Sequence, residues 1–207
     1  IMNYVNGATS LLPSATRRAG LNSHSHPDHF SKTIFNLREQ FGGAEYVLAR
    51  EIRLKPEEKK DWIHSLKPET DVEIGNLKIR TLKSTDLGVP FIVETEGRRI
   101  YHAGDLNWWH WEGEDKAWNN NMAANYKREI KELDGCGMDV AFVPLDGRLE
   151  NAYYWGMKYF LEHVPVKAVF PMHCWDHYEI CQKVQDEPSM QGLLEHFHPI
   201  EYKGQEW

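Results

Sequence analysis

Three histidines and an aspartate fall within six positions of "LNSHSHPDHF" (21–30): His24, His26, Asp28 and His29. Imidazole is costly to bury without a partner, so this run is either a solvated loop or a ligand set gathered by a cation. With Ser23 to Ser25 extended, strand alternation puts His24 and His26 on one side. Pro27 then turns the chain, so that Asp28 and His29 point back from the start of the following helix. Two adjacent pockets arise this way, one from His24 and His26, the other from Asp28 and His29. Three more groups leave strand-like stretches: Asp86 after "KIRTLK", Asp105 after "IYHAG" and His173 after "VKAVFPM". Taken singly, each is an ordinary turn residue or buried histidine. A two-metal site needs ligands from elsewhere in the fold, which gives all three a shared use.

Such a set points to hydrolysis. Two divalent cations acidify a shared water, polarise the substrate oxygen and stabilise the negative charge that develops. Asp28 can orient that water and take its proton. No GxSxG motif appears, and Cys136, Cys174 and Cys181 sit in no activating motif, so a metal-activated water is the better nucleophile. Signals for the substrate are thinner. Arg148 in "PLDGRLE" follows a strand and is a candidate clamp for a phosphate or carboxylate, a surface salt bridge being the alternative. "NWWHWEGE" (107–114) follows Asp105 directly. Trp108 is the candidate pocket wall; packing of Trp108, Trp109 and Trp111 against the next helix is the alternative.

The elements that must hold these residues read as alternating strands and helices. "RAGLNS" leads into a strand end. "SKTIFNLREQF" spaces Ile34, Phe35, Leu37 and Phe41 on one helix face, with Ser31 as its cap. "AEYVLA" (44–49) is a buried strand, and "PEEKKDWIHSL" a charged helical turn opened by Pro56. "NLKIRTL", "PFIVETE" and "RRIYHA" are three successive strands, the last two joined by a hairpin turn in "TEGRR". From Glu114 to Leu133, apolar residues at three-to-four spacing predict an amphipathic helix. "MDVAFVPLD" (138–146) and "VKAVFPMH" (166–173) are buried strands flanking a helical "NAYYWGMKYFLEHV". Strands buried on both faces and separated by helices indicate an α/β layered protein with its site at strand exits.

With 207 residues, 41% hydrophobic and 27% charged, the chain suits one globular domain over 1–207. A formal net charge of −7 argues against a general nucleic-acid binder. No apolar run reaches the roughly 18 residues of a membrane-spanning helix, and "IMNYVNGATS" lacks the layout of a secretory signal. An odd cysteine count without a CxxC pair makes a disulfide framework unexpected and a reducing cytoplasm the expected compartment. The expected partner is a small-molecule substrate.

"SHSHPDHF" resembles the HxHxDH signature of the metallo-β-lactamase fold superfamily. "IYHAGD" is similar to its later Gly-Asp element and "VFPMH" to its last histidine element, in the family's order. The resemblance implies an αββα sandwich with a dinuclear metal site on one edge. It assigns His24 and His26 to one metal, Asp28, His29 and His173 to the other, and Asp105 to the bridge. Two divalent ions are implied, zinc first, with manganese or iron as alternatives. The overall look is closest to the lactonase-like branch.

Two departures stand out. Family members supply a third histidine before the Gly-Asp element; here that place holds "KSTDLGVP", which nominates Asp86 as a replacement ligand and favours manganese or iron beside zinc. His64, the other histidine of that interval, lies in a segment that reads as helix. Only 23 residues precede His24, so the N-terminal sheet is expected to be incomplete. The function expected is a metal-dependent hydrolase acting on a small ester, lactone or phosphoester. A nuclease of the same superfamily, a diiron redox protein and a non-catalytic metal-binding domain are the alternatives. Acidity weighs against the nuclease, and diiron relatives carry an acidic residue where this chain has His26.

Overall fold

Residues 10–13, 18–40 and 42–207 are described in a computed structural model of the chain, and their apolar runs form two β-sheets. The first contains β1 (Ser10–Pro13), β2 (Arg18–Asn22), β3 (Glu45–Ala49) and β4 (Ile63–Leu66), side by side in that order. The second contains β5 (Asp71–Ile74), β6 (Leu77–Thr81), β7 (Phe91–Thr95), β8 (Arg98–His102), β9 (Val140–Pro144) and β10 (Val169–Met172), ordered β10-β9-β8-β7-β6-β5. From β5 to β8 the neighbours are antiparallel, and β8, β9 and β10 run parallel. The crossovers to the parallel strands carry α1 (Lys116–Lys131) and α2 (Trp155–His163), and α3 (Glu179–Gln185) follows β10.

Strand alternation builds the layers. Phe91 and Val93 of β7 join Leu21, Val47, Ile79 and Leu66 in a core that unites the two sheets. Ile92, between them in sequence, points the other way, into a second core with Tyr101, Phe142, Tyr126, Met157 and Phe160 under the helices. The hairpin between β7 and β8 turns on Glu96 and Gly97, both at positive φ (50° and 71°). The three helices therefore cover the six-stranded sheet.

Two helical expectations give way. Residues 31–40 do not form an α-helix: Ser31 caps the segment as expected, but the turns of Lys32–Leu37 are 3-10, and Phe41 lies outside the described residues. Tyr46 Oη donates to the Ile34 carbonyl at 2.7 Å, the acceptor that an α-helical Arg38 N–H would use, and Arg38 N–H bonds Phe35 O instead. In "PEEKKDWIHSL" only Pro56–Glu58 is helical, and Ile63–Leu66 leaves to pair in parallel with Tyr46–Ala49. His64 thus sits on a strand, its Nε2 2.7 Å from Glu45 Oε2. The expectations about a targeting segment and an incomplete N-terminal sheet bear on residues 1–9 and 14–17, which lie outside the described residues.

The ends of β8, β9 and β10 are fastened by Asp139. Its carboxylate accepts from Lys167 Nζ and the Arg99 N–H, both at 2.8 Å, and from Arg98 Nη1 at 3.3 Å. The Lys167 bond, then the Arg99 amide, hold its pKa down from 3.8 to about 2, against the opposing effect of burial. A carboxyl whose folded pKa is depressed adds stability above its unfolded pKa of about 4 and loses it as pH falls toward the folded value. Asp139→Asn is therefore expected to unfold at lower urea concentration than the parent at pH 7, with the gap closing as pH approaches 2. A gap that held constant down to pH 2 would contradict this linkage.

Candidate metal centre

The "SHSHPDHF" segment leaves β2 and turns at once. His29 N–H and Phe30 N–H both bond His26 O at 2.9 Å, closing the turn at Pro27. Ser25 fixes the turn from outside through its N–H (2.5 Å) and Oγ (2.8 Å) to the Glu51 carboxylate. Inside, Ser23 Oγ lies 3.1 Å from His24 Nδ1 and 3.3 Å from His29 Nδ1, so both rings turn Nε2 toward the same space. Glycines permit this closeness. A Cβ on Gly88 (φ +74°) would stand 1.7 Å from Ser23 O, and one on Gly104 (φ +53°) 2.7 Å from Ser23 Cβ. Gly88→Ala is expected to cost on the order of 2–3 kcal/mol of stability, read by urea denaturation, because strain and collision fall on one residue.

From the exit of β8, Asp105 enters that space. Its Oδ2 lies 3.1 Å from His24 Nε2, while its Oδ1 lies 3.2 Å from His29 Nε2 and 2.9 Å from His173 Nε2. His29 Nε2 is also 3.4 Å from Asp28 Oδ2. Among the described residues, potential ligand atoms lie within 4.8 Å of one another in three overlapping sets: His24 with Asp28 and His29, His24 with His26 and Asp105, and His29 with Asp105 and His173. His24, His29 and Asp105 are buried. His24 Nε2, Asp105 Oδ1 and His173 Nε2 have no aligned hydrogen-bond partner among the described residues. Two atoms that each bind one zinc ion at about 2.1 Å with angles of 90–109° stand about 3.0–3.4 Å apart. The observed separations fit that spacing, and the unaligned lone pairs fit a cation better than a proton.

Electrostatics differ along the set: His29 is held neutral, whereas His173 holds a proton that an ion at its Nε2 would have to displace. Burial drives the His29 pKa from 6.5 down to about 3 despite the opposing pull of Asp105, so its ring is neutral and can donate a lone pair. His102 is likewise pushed down to about 4 by burial, and its Nδ1 accepts from the Gly104 N–H at 3.1 Å. Burial works to raise the Asp105 pKa, but His173 and His24 outweigh it and keep the carboxylate ionised. For His173, burial lowers and the flanking carboxylates of Asp105 and Asp146 raise; the carboxylates win, giving about 9. His173 leaves β10 with φ at 63°, a left-handed conformation that a non-glycine residue rarely adopts.

The clusters open into a cavity of about 300 Å³. His26, Asp28, Asp105 and His173 form its inner side; Trp109, Trp111, Trp118, Met122 and Trp175 form its walls, with Thr85, Asp86 and Arg148 between them. Asp86 is thus on the cavity but exposed and outside the three ligand sets. Arg148 reaches the cavity while forming a bidentate pair with Asp146 through Nε (2.9 Å) and Nη2, so clamp and salt-bridge readings meet in one residue. Trp108 turns away from the cavity: it packs among Trp155, Tyr126 and Tyr159 with Lys127 Nζ 4.3 Å from its ring centroid. Its neighbour Trp109 faces inward, donating Nε1 to the Asp105 carbonyl at 2.9 Å and packing 5.7 Å from the His173 ring.

Asp146 is the residue that the sequence reading passed over. It is fully buried at the exit of β9 and faces His173 Nδ1 at 3.4 Å, and it also accepts from Trp175 Nε1 at 3.3 Å. Its one signal was its position in "VPLD", a polar residue closing an apolar strand.

Comparison of the fold with solved structures bears on what this arrangement is. A provisionally assigned metal-dependent hydrolase from Parabacteroides distasonis superposes over 92% of this chain and 87% of its own, with a TM-score of 0.59 at 14% identity. The chain has the metallo-β-lactamase fold. CmlA, a diiron β-hydroxylase from Streptomyces venezuelae, shares the fold over 77% of this chain, with a TM-score of 0.51 at 11% identity, and this chain spans 36% of its length. A provisionally assigned zinc-dependent hydrolase of the metallo-β-lactamase superfamily from Thermotoga maritima overlaps more loosely, at a TM-score of 0.45 and 12% identity over 83% of this chain and 74% of its own. No protein-family model and no curated protein matches the sequence. In this metallo-β-lactamase fold the ligand sets sit at the exits of β2, β8 and β10.

Proposed function

We propose that the chain is a metal-dependent hydrolase with a dinuclear centre, His24 and His26 serving one ion, Asp28, His29 and His173 the other, and Asp105 both. The observation that carries this reading is the division of the Asp105 carboxylate, one oxygen toward His24 and the other toward His29 and His173. Divalent ions bound there supply Lewis acidity, which activates water and polarises a substrate oxygen. Asp28, only partly buried beside His29, accepts the proton that the attacking water releases. Thr85 Oγ1 and Trp109 Nε1 hold the Asp105 backbone carbonyl, at 3.4 and 2.9 Å, and so keep its carboxylate aimed. The cavity suits a small ester, lactone or phosphoester and is at the small end for ligand sites. Zinc is the first candidate ion, and the shared fold with a diiron enzyme keeps iron, with manganese, as alternatives. No helix among the described residues is long and apolar enough to cross a membrane, and all three cysteines are unpaired, which is compatible with a reducing compartment.

Elemental analysis of the purified protein is expected to find close to two divalent ions per chain. Asp86→Ala is expected to keep that content, since Asp86 stands outside the ligand sets; a loss would restore it as a ligand. A parent that stays metal-free after reconstitution with zinc, manganese or iron would overturn the proposal.

A further inference from the structure

Walls of the cavity differ sharply from its inner side. Four indoles and a thioether (Trp109, Trp111, Trp118, Trp175 and Met122) face it, with Thr85, Asp86 and Arg148 as the polar groups beside them. Thr85 Oγ1 is committed to the backbone at Asp105 and Asn107. Arg148 spends Nε and Nη2 on Asp146, and its guanidinium lies 4.6 Å from the centroid of Trp175 and 5.9 Å from that of Trp111. Asp86 is left as the wall's free carboxylate, at the rim. A polyhydroxylated ring needs a donor or acceptor opposite most of its hydroxyls, and beside the histidine side this wall offers chiefly Asp86 and what Arg148 leaves uncommitted. Apolar exposure gathers at the same place. Of five large hydrophobic side chains exposed among the described residues, Trp118 and Trp175 line the cavity and Leu87 adjoins Asp86. Soluble proteins seldom cluster exposed indoles without a ligand to cover them.

We propose that the substrate carries an aromatic ring, held against the indole wall while its ester, lactone or phosphoester group meets the histidine side. The inference rests on the hydrolase reading and narrows it. Ring–indole contact adds to the area buried, and together they are worth about tenfold or more in affinity.

Phenylphosphonate and methylphosphonate share one oxyanion head and differ in the ring, so they separate the two ends of the cavity. Titrated calorimetrically into the metal-loaded protein, phenylphosphonate is expected to bind at least about tenfold more tightly than methylphosphonate. Glucose 1-phosphate is expected to gain nothing over methylphosphonate. Trp175→Ala and Trp118→Ala remove exposed side chains, so both variants should fold; each is expected to shrink the ratio severalfold, and Trp118→Ala, on α1 and away from Asp146, to leave methylphosphonate binding unchanged. Equal binding of the two phosphonates, or a ratio that neither variant moves, overturns the aromatic wall. So does preference for the sugar phosphate. Metal content of the same samples separates the failures: a loaded protein without ring preference sinks this inference alone. A protein that neither holds metal nor binds either phosphonate sinks the hydrolase reading and this inference with it.

Discussion

Asp105→Ala is expected to lose both ions and to lower hydrolysis by at least about 10³-fold, more than the removal of a single stabilising donor. Among the described residues Asp105 has a carboxylate oxygen facing each histidine set, so under the proposed dinuclear reading its loss would strip a ligand from both ions at once. Substitution of one histidine touches one set: His26 belongs only with His24 and Asp105, and His173 only with His29 and Asp105. His26→Ala and His173→Ala should each leave about one ion per chain, and Asp105→Ala close to none, by elemental analysis after identical reconstitution. The variant should remain folded, because Asp105 lies outside both large apolar cores and Asp146 still faces His173 after its removal. Circular dichroism would verify this. Two ions retained in Asp105→Ala would remove the bridge, and with it the case for a dinuclear centre.

How much of this could be read beforehand follows from where the information lies along the chain. His24, His26, Asp28 and His29 were legible because they are contiguous and one Pro-centred turn folds them together. Asp105 and His173 were legible as polar residues closing apolar strands. Asp146 had the same signal, yet its use depends on a long-range pairing. Pro144 of β9 stands opposite Met172 of β10, so the next residues of the two parallel strands emerge side by side. Nothing local announces that register. Nor could local spacing tell which tryptophan faces the cavity. After Asp105 the chain leaves strand geometry, so alternation no longer decides between Trp108 and Trp109; the carbonyl of Asp105 does, by capturing the Trp109 N–H. The 3-10 turn at Lys32–Leu37 is a similar case, since a tyrosine twelve residues beyond Ile34 takes the carbonyl that an α-helix would use. Propensity and period carried most of the two-sheet layout, and tertiary hydrogen bonds decided the remainder.

The second large effect is expected at Asp146, which stands outside the three candidate ligand sets. Its carboxylate is fully buried, faces His173 Nδ1 at 3.4 Å, and accepts from the Arg148 N–H at 3.0 Å and from Arg148 Nε at 2.9 Å. A carboxylate opposite Nδ1 keeps the proton on that nitrogen and leaves Nε2 free to donate its lone pair, the role such partners play around metal-binding histidines. Asparagine at 146 keeps the size but replaces one acceptor oxygen with an N–H₂ group, which repels the donors of Arg148 and His173. Asp146→Asn is therefore expected to weaken the ion proposed for His29 and His173 by about 10–100-fold and leave the one proposed for His24 and His26 near its parental affinity. Competition with a chromogenic chelator resolves the two. Arg148→Ala provides the contrast: it removes the salt bridge but leaves the carboxylate facing His173, so metal affinity should change little while the free carboxylate lowers stability. If both variants weakened the same ion equally, Asp146 would be acting through Arg148 and the local fold. If Asp146→Asn moved neither ion, its burial beside His173 would be packing alone. A selective loss in Asp146→Asn would instead tie the exit of β9 to the metal centre and, through Trp175 and Arg148, to the wall on which the substrate ring is proposed to lie.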